Sequence, residues 1–190
     1  MFYLVKYKVI DMSKIGNKPV FFSSDTFVKH TDDHIEVKGK KGCLKLNFLY
    51  VTLNIVDNYI FVKPINGDKK NKKFHGLYRS LINNMVIGVN EGFQKVLILK
   101  GVGYNAKMTK NGIIFNLGFS HTIEKEIPQS IKVNIEKQGQ KITINSISKH
   151  DAGLFAAQIR SLKVPEPYLG KGIRYEDEVI IKKVGKTNTK

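Results

Sequence analysis

Apolar and polar residues alternate in six short stretches of the chain: HIEVKG (34–39), YIFVKP (59–64), KVLILK (95–100), GIIFNLG (112–118), SIKVNIEK (130–137) and KITINS (141–146). A period of two places successive side chains on opposite faces of a strand, so each stretch predicts a strand with one buried face. Gly, Asn, Asp or Pro bounds every one of them, which points to short strands of mainly antiparallel sheet. Asn111-Gly112, between YNAKMTK and IIFNLG, predicts a hairpin turn of the primed type.

Two segments switch to helical spacing. In KKFHGLYRSLINNMVIG the residues Phe74, Leu77, Tyr78, Leu81, Ile82 and Met85 recur at intervals of three and four and line one helix face, with Gly88 or Gly92 as the expected stop. In SKHDAGLFAAQIRSLKVP, Ser148 and Asp151 have capping-box spacing, Phe155, Ile159 and Leu162 form the buried stripe, and Pro165 closes the segment.

GLYRSLI at 76–82 and GLFAAQI at 153–159 resemble one another, and each follows a strand pattern. A repeat of strand plus helix at a spacing of 77 residues points to an internal duplication. The expected fold is therefore α+β: two similar domains, each a small, mainly antiparallel sheet packed with one helix. The boundaries read as an N-terminal extension over 1–11, a first domain over 12–94, and a second over 95–190 that ends in a basic tail.

Charge narrows the function. Thirty-two Lys and Arg stand against 16 Asp and Glu, a formal net charge of +16. Residues 1–95 and 96–190 each carry 16 basic and 8 acidic groups. An excess spread so evenly suits a body embedded in a polyanion more than one with a single local groove. Only Arg79, Arg160 and Arg174 are arginine, and the richness in Lys, Ile and Asn points to an AT-rich coding sequence. The single cysteine, Cys43, excludes an internal disulfide and reads as a small apolar filler beside Leu44. No apolar run approaches the roughly 18 residues of a membrane span. MFYLVKYKVID lacks the features of a signal peptide or a mitochondrial presequence, so an organellar protein of this kind is expected to be made in its organelle.

Catalytic motifs are weak. GVGYNA (101–106) follows a strand as a dinucleotide fingerprint does, but a hairpin pattern, not a helix, comes next. GKKG (39–42) and GKG (170–172) lack the Ser or Thr and the glycine spacing of a phosphate loop, and GKKG reads as a plain turn. VKHTDDHIEV reads as strand, turn, strand, which sets His30 and His34 in a solvated turn and not at a metal. His75, His121 and His150 lack ligand-spaced neighbours. Glu176, Asp177 and Glu178 read as a solvated run. No cofactor, metal or enzymatic activity is implied.

PEPYLGKGIRYEDE (165–178) looks neither like a core strand nor like a helix. Pro165 and Pro167 hold the backbone extended, Gly170 and Gly172 permit tight turning, Tyr168 offers a stacking face, and Lys163, Lys171 and Arg174 supply cations. Aromatic, glycine and cation interleaved on an exposed loop is the composition of a contact with single-stranded or irregular RNA.

The same stretch closely resembles the C-terminal signature of the bacterial-type large-subunit ribosomal protein six (L-six) family. MSKIGNKPV (12–20), RSLINNMVIGVNEGF (79–93), LKGVGYNA (99–106) and LGFSHTIEKEIP (117–128) resemble that family in the same order. The resemblance implies two similar sheet-plus-helix domains, binding to large-subunit ribosomal RNA near the base of the lateral stalk, translational GTPases docking nearby, and neighbouring large-subunit ribosomal proteins as partners. It also implies that the C-terminal domain makes the main RNA contact. Leu169 and Asn105 stand where the family pattern carries cations, and MFYLVKYKVID precedes the usual start near Met12, as an added edge strand or an arm into RNA or a neighbouring protein; its alternation favours the strand.

The expected RNA-binding residues are Lys149, His150, Arg160, Lys163, Tyr168, Gly170, Lys171, Gly172 and Arg174, with Lys182, Lys183 and Lys186 as phosphate-positioning charges. Gly101 and Gly103 are expected to allow close backbone approach or simply to shape a turn. The reading is a structural component of an organellar ribosome, mitochondrial with plastid as the alternative. Its rival is a free-standing RNA-binding or RNA-chaperone module.

Overall fold

The computed structural model describes residues 14–65 and 69–185. The expected edge strand over 1–11 and Lys186 lie outside the described residues. The chain divides between Glu91 and Gly92 into two compact units.

In the N-terminal unit, β1 (Val20–Phe21), β2 (Phe27–His30), β3 (His34–Gly39), β4 (Gly42–Asn47), β5 (Val51–Val56) and β6 (Tyr59–Pro64) precede helix α1 (Lys69–Asn90). They form two antiparallel three-stranded sheets, ordered β1-β6-β5 and β2-β3-β4. Each unit thus carries two sheets where the pattern predicts one. Ile35, Val37, Ile60 and Val62 face the core at every second position, and α1 lays Ile82, Met85, Val86 and Val89 against them. Phe74 and Tyr78 pack at the margin, whereas Leu77 is half exposed and is not part of the stripe. Gly88 is a buried helical residue, and the helix stops two residues before Gly92, whose φ of +77° no side-chain-bearing residue adopts easily.

Polar groups pin the ends of this unit. His75 is buried and its Nε2 lies 2.9 Å from the Val62 carbonyl, and Gly16 packs so closely on its ring that no Cβ fits there. Arg79 donates to the carbonyls of Lys18 and Pro19 at 3.0 and 3.2 Å, tying the entry of β1 to α1. The GKKG stretch is the β3–β4 turn, Gly39 opposite Gly42, and the Lys41 backbone N–H and ammonium donate to the carbonyls of Val89 and Glu91 at the helix end. Orphan C-terminal carbonyls attract such donors. Cys43 is a correction: β4 turns Leu44 and Leu46 toward the core, so Cys43 faces outward and its thiol donates to Glu36 Oε1 at 3.1 Å. That hydrogen bond, with lesser burial, pushes the thiol pKa up.

The C-terminal unit repeats the plan. It contains β7 (Phe93–Lys100), β8 (Asn105–Met108), β9 (Gly112–Asn116), β10 (Ile123–Glu126), β11 (Ile131–Glu136), β12 (Lys141–Ser146), helix α2 (Lys149–Leu162) and β13 (Gly172–Tyr175). One sheet is ordered β10-β9-β8 and the other β11-β12-β7-β13, all antiparallel. Ser148 caps α2, its Oγ accepting from the Asp151 N–H at 3.2 Å, and Phe155, Ala156 and Ile159 are buried against Leu97, Phe115, Ile142 and Ile144. The duplication extends to exposure: Leu77 and Leu154, equivalent in the repeat, are 49% and 51% exposed, and both Ile82 and Ile159 are fully buried.

Two further expectations are corrected by the C-terminal unit. The β8–β9 hairpin exists, but Met108 pairs with Ile113, so the connection is centred on Lys110-Asn111, and neither residue nor Gly112 has a positive φ. Thr109 closes the turn instead, donating its N–H to the Gly112 carbonyl and accepting from the Gly112 N–H at its Oγ1. Four residues of the 165–178 stretch, GIRY, are the edge strand β13, with Ile173 fully buried. Burying one such side chain is worth about 1.5–3 kcal/mol, which anchors the strand to β7.

Candidate nucleic-acid interface

After α2 the backbone leaves the helical region at Lys163 (φ −153°, ψ 88°) and doubles back before entering β13. The Ile173 N–H donates to the Lys163 carbonyl at 2.8 Å, Glu166 N–H to the Lys171 carbonyl at 3.0 Å, and Gly170 N–H to the Glu166 carbonyl at 3.1 Å. These bonds close a compact loop over 163–172. Tyr168 and Leu169 stand at its tip, 55% and 60% exposed, and Lys171 is exposed beside them. The tail returns across the loop: Lys183 N–H donates to the Pro167 carbonyl at 2.9 Å, and Lys182 Cε lies 3.9 Å from where a Cβ on Gly170 would sit.

Two other loops meet this one. Gly172 pairs with exposed Lys100 at the end of β7, which places the 101–104 turn alongside. Within that turn Val102 is 93% exposed, and Tyr104 folds its ring against Gly101 and against Gly118 of the β9–β10 loop. From the same β9–β10 loop Phe119 lies under Lys163, whose ammonium is 4.2 Å from the ring centroid, and Phe119 is stacked with His121 at 6.0 Å and 19°. One end of the unit therefore collects Lys100, Lys163, Lys171, Lys182 and Lys183 with Tyr168, Phe119 and His121. Cations and aromatic faces on closely approaching backbone are the groups that hold phosphates and stack unpaired bases.

The expected residues do not all gather there. Lys149 and His150 are exposed at the start of α2, about 20 Å from Lys163 along a 14-residue helix. Lys149 lies over Phe93, 5.9 Å from its centroid, at the far end of β7. Arg160 is engaged inside the unit: Nε and a terminal nitrogen donate to Glu178 at 2.9 and 2.5 Å, with the guanidinium 5.8 Å from the Tyr175 ring. Hydrogen bonding to Arg160, aided by the Tyr175 N–H, holds the Glu178 carboxyl below the usual range, and the same pair raises the Arg160 pKa. Glu178 is thus not part of a solvated run, and Glu176 pairs with Lys141 at 3.1 Å. Arg174, opposite Ile98 on β13, is half-buried and its Nε is shielded from solvent without a hydrogen-bond partner among the described residues. Sequence reasoning missed Lys100, Phe119 and His121; the LGFSH stretch carried two of them, but only tertiary contact brings them beside Lys163.

GVGYNA is followed by β8 and β9, with no helix to receive a pyrophosphate. Among the described residues no three His, Cys, Asp or Glu side chains gather as metal ligands, and no helix is long and apolar enough to cross a membrane.

Comparison with known proteins decides the family. The family model described as Ribosomal protein L6 matches residues 24–92 and 100–176. The chain is 46% identical over 178 residues to large ribosomal subunit protein uL6 of Finegoldia magna, covering 93% of this chain and 99% of that one. It is 41% identical over 180 residues to uL6 of Treponema pallidum, with 94% and 100% covered, and 44% identical over 177 residues to uL6c of Phaeodactylum tricornutum, with 93% and 99% covered. The chain belongs to the ribosomal protein L6 family. Its relatives are structural proteins of the large ribosomal subunit, not enzymes, and binding of ribosomal RNA is general to the L6 family. Apart from Gly92, the first matched segment lies in the N-terminal unit, and the second lies in the C-terminal unit. Leu169 presents an apolar tip to solvent, and Asn105 is turned to its own loop, with Nδ2 3.5 Å from the Gly103 carbonyl.

Proposed function

We propose that this chain is a structural constituent of the large ribosomal subunit that grips ribosomal RNA with the loop end of its C-terminal unit, near the stalk base where translational GTPases dock. The observation that carries the reading is the convergence of the 101–104, 117–122 and 163–172 loops, joined by the Lys100–Gly172 pairing, the Tyr104–Gly118 contact and the Lys163–Phe119 contact. Lys171, Lys182 and Lys183 neutralise phosphates and fix register there, while Gly170 and Gly172 keep the backbone tight. Arg160 serves by positioning: its pair with Glu178 secures the segment that follows β13 against α2. Lys149 and His150 form a second, separate contact at the start of α2, and Lys186 adds charge from the tail. The Lys, Ile and Asn bias supports an organellar ribosome, mitochondrial or plastid.

Sedimentation of organelle lysates through sucrose gradients at low and high salt tests this reading. The expected result is cofractionation with the large subunit that survives high salt. Release to light fractions at modest salt would overturn it in favour of a free-standing RNA-binding module, and the organelle whose gradient contains the chain identifies its compartment.

A further inference from the structure

The β9–β10 loop presents an aromatic pair for which the core has no use. Phe119 is 39% exposed and His121 is exposed, although the core beneath them is already filled by Phe115 and Leu117, both fully buried. Water is a poor neighbour for a phenyl ring, and a ring left outside a filled core is available to a partner. Here the ring is also held in place. The Lys163 ammonium sits 4.2 Å from its centroid, a cation–π contact, and His121 stacks on it with the planes 19° apart. Behind the pair, Gly118 packs on Tyr104, with 3.0 Å between the Tyr104 ring and a Cβ built at Gly118, so the root of the loop is braced as well. Such fixed rings lose little further freedom on binding.

We infer that Phe119 and His121 form a stacking platform for an unpaired nucleobase of RNA, with Lys163 holding the platform and adding positive potential beside it. This rests on the RNA-binding reading above and names a site within it. The chemistry favours a base over an apolar protein side chain: the phenyl ring is flanked by a cation and an imidazole, and the pair sits at an end of the unit rich in lysine. A base offers a π face to the rings and a phosphate to the cations at once.

The test measures affinity of the full chain for a transcribed bacterial large-subunit ribosomal RNA across a series of salt concentrations. Stacking is uncharged, so Phe119→Ala is expected to weaken binding about 5- to 150-fold at every salt concentration while leaving the salt slope unchanged. Phe119→Tyr is expected to bind as the parent does. Because Phe119→Ala also removes the ring under Lys163, His121→Ala provides a second variant that keeps that contact, and it is expected to weaken binding in the same salt-independent way. Irradiation of the complex at 254 nm is expected to give nucleotide adducts on this loop. Parent-like affinity of both alanine variants, or a changed salt slope, overturns the platform while leaving the RNA-binding reading intact. A parent chain that shows no salt-dependent binding overturns the RNA-binding reading itself.

Discussion

Replacing Gly172 with alanine should damage the C-terminal unit far more than the same change at Gly170, two residues away. Gly172 has φ +144°, a region closed to L-residues, and strain of that type costs about 1–3 kcal/mol. A Cβ there would also lie 2.6 Å from Pro165 Cα, 2.8 Å from Pro165 N and 2.9 Å from the Lys163 carbonyl oxygen. All three are backbone atoms, so relief requires the Lys163–Pro165 segment to move away from β13. The Ile173–Lys163 bond of 2.8 Å and the Glu166–Lys171 bond of 3.0 Å oppose that movement. Overpacking of this sort adds about 1–3 kcal/mol. The sum, about 2–6 kcal/mol, is a large share of the roughly 5–15 kcal/mol that stabilises a typical domain.

Gly170 differs in the second contribution only. Its φ of +71° imposes a left-handed cost of about 1–2 kcal/mol, but the nearest atom to a new Cβ is Lys182 Cε at 3.9 Å. Urea unfolding followed by hydrogen exchange on peptides of the C-terminal unit separates the two variants. With a slope of about 2 kcal/mol per molar urea, Gly172→Ala should lower the midpoint by about 1–3 M and Gly170→Ala by less than about 1 M. Equal midpoints for the two variants would refute the argument that the Pro165 backbone blocks the position.

Three further outcomes are expected. Gly153→Ala, mid-helix with nothing within 4 Å of the new Cβ, should raise stability by about 0.5–1 kcal/mol in the same urea assay. The carboxyl of Glu178 is held below its ordinary value by Arg160, so its contribution is complete above about pH 4.3 and is lost as pH falls through the lower folded value. Parallel melts of the parent and Glu178→Gln should therefore differ at pH 6 and converge as pH falls toward the folded value. Lys171→Gln with Arg174→Gln should flatten the salt dependence of RNA affinity, the slope of log K against log salt falling by about one for each phosphate no longer neutralised, and an unchanged slope would take this loop off the RNA.

Features set by neighbours in sequence were legible. The Ser148–Asp151 cap and the Phe155–Ile159 stripe depend on residues three and four apart, and HIEVKG, YIFVKP and KITINS became strands with the bounds their alternation marks. Helical spacing over-reaches at Leu77, because apolar residues at intervals of three and four span more of the helix surface than the sheets cover. The turn at 109–112 departs from the primed type because Thr109 supplies a side-chain acceptor that makes an ordinary turn sufficient and removes the need for a positive φ at Asn111.

Local pattern, charge and the repeated GLY/GLF helices determined by themselves that this is a duplicated α+β protein with a polyanionic partner, since each depends on composition or on spacing within one element. Only the tertiary structure decided which side of β4 Cys43 faces, that GIRY is an edge strand on β7, that Arg160 is bound to Glu178, and that Phe119 meets Lys163. Those outcomes depend on contacts between residues 7, 18 and more than 40 positions apart. A linear pattern fixes which faces are apolar, but the packing of the elements selects which side chains share an end of the molecule, and the proposed RNA site is assembled by that selection.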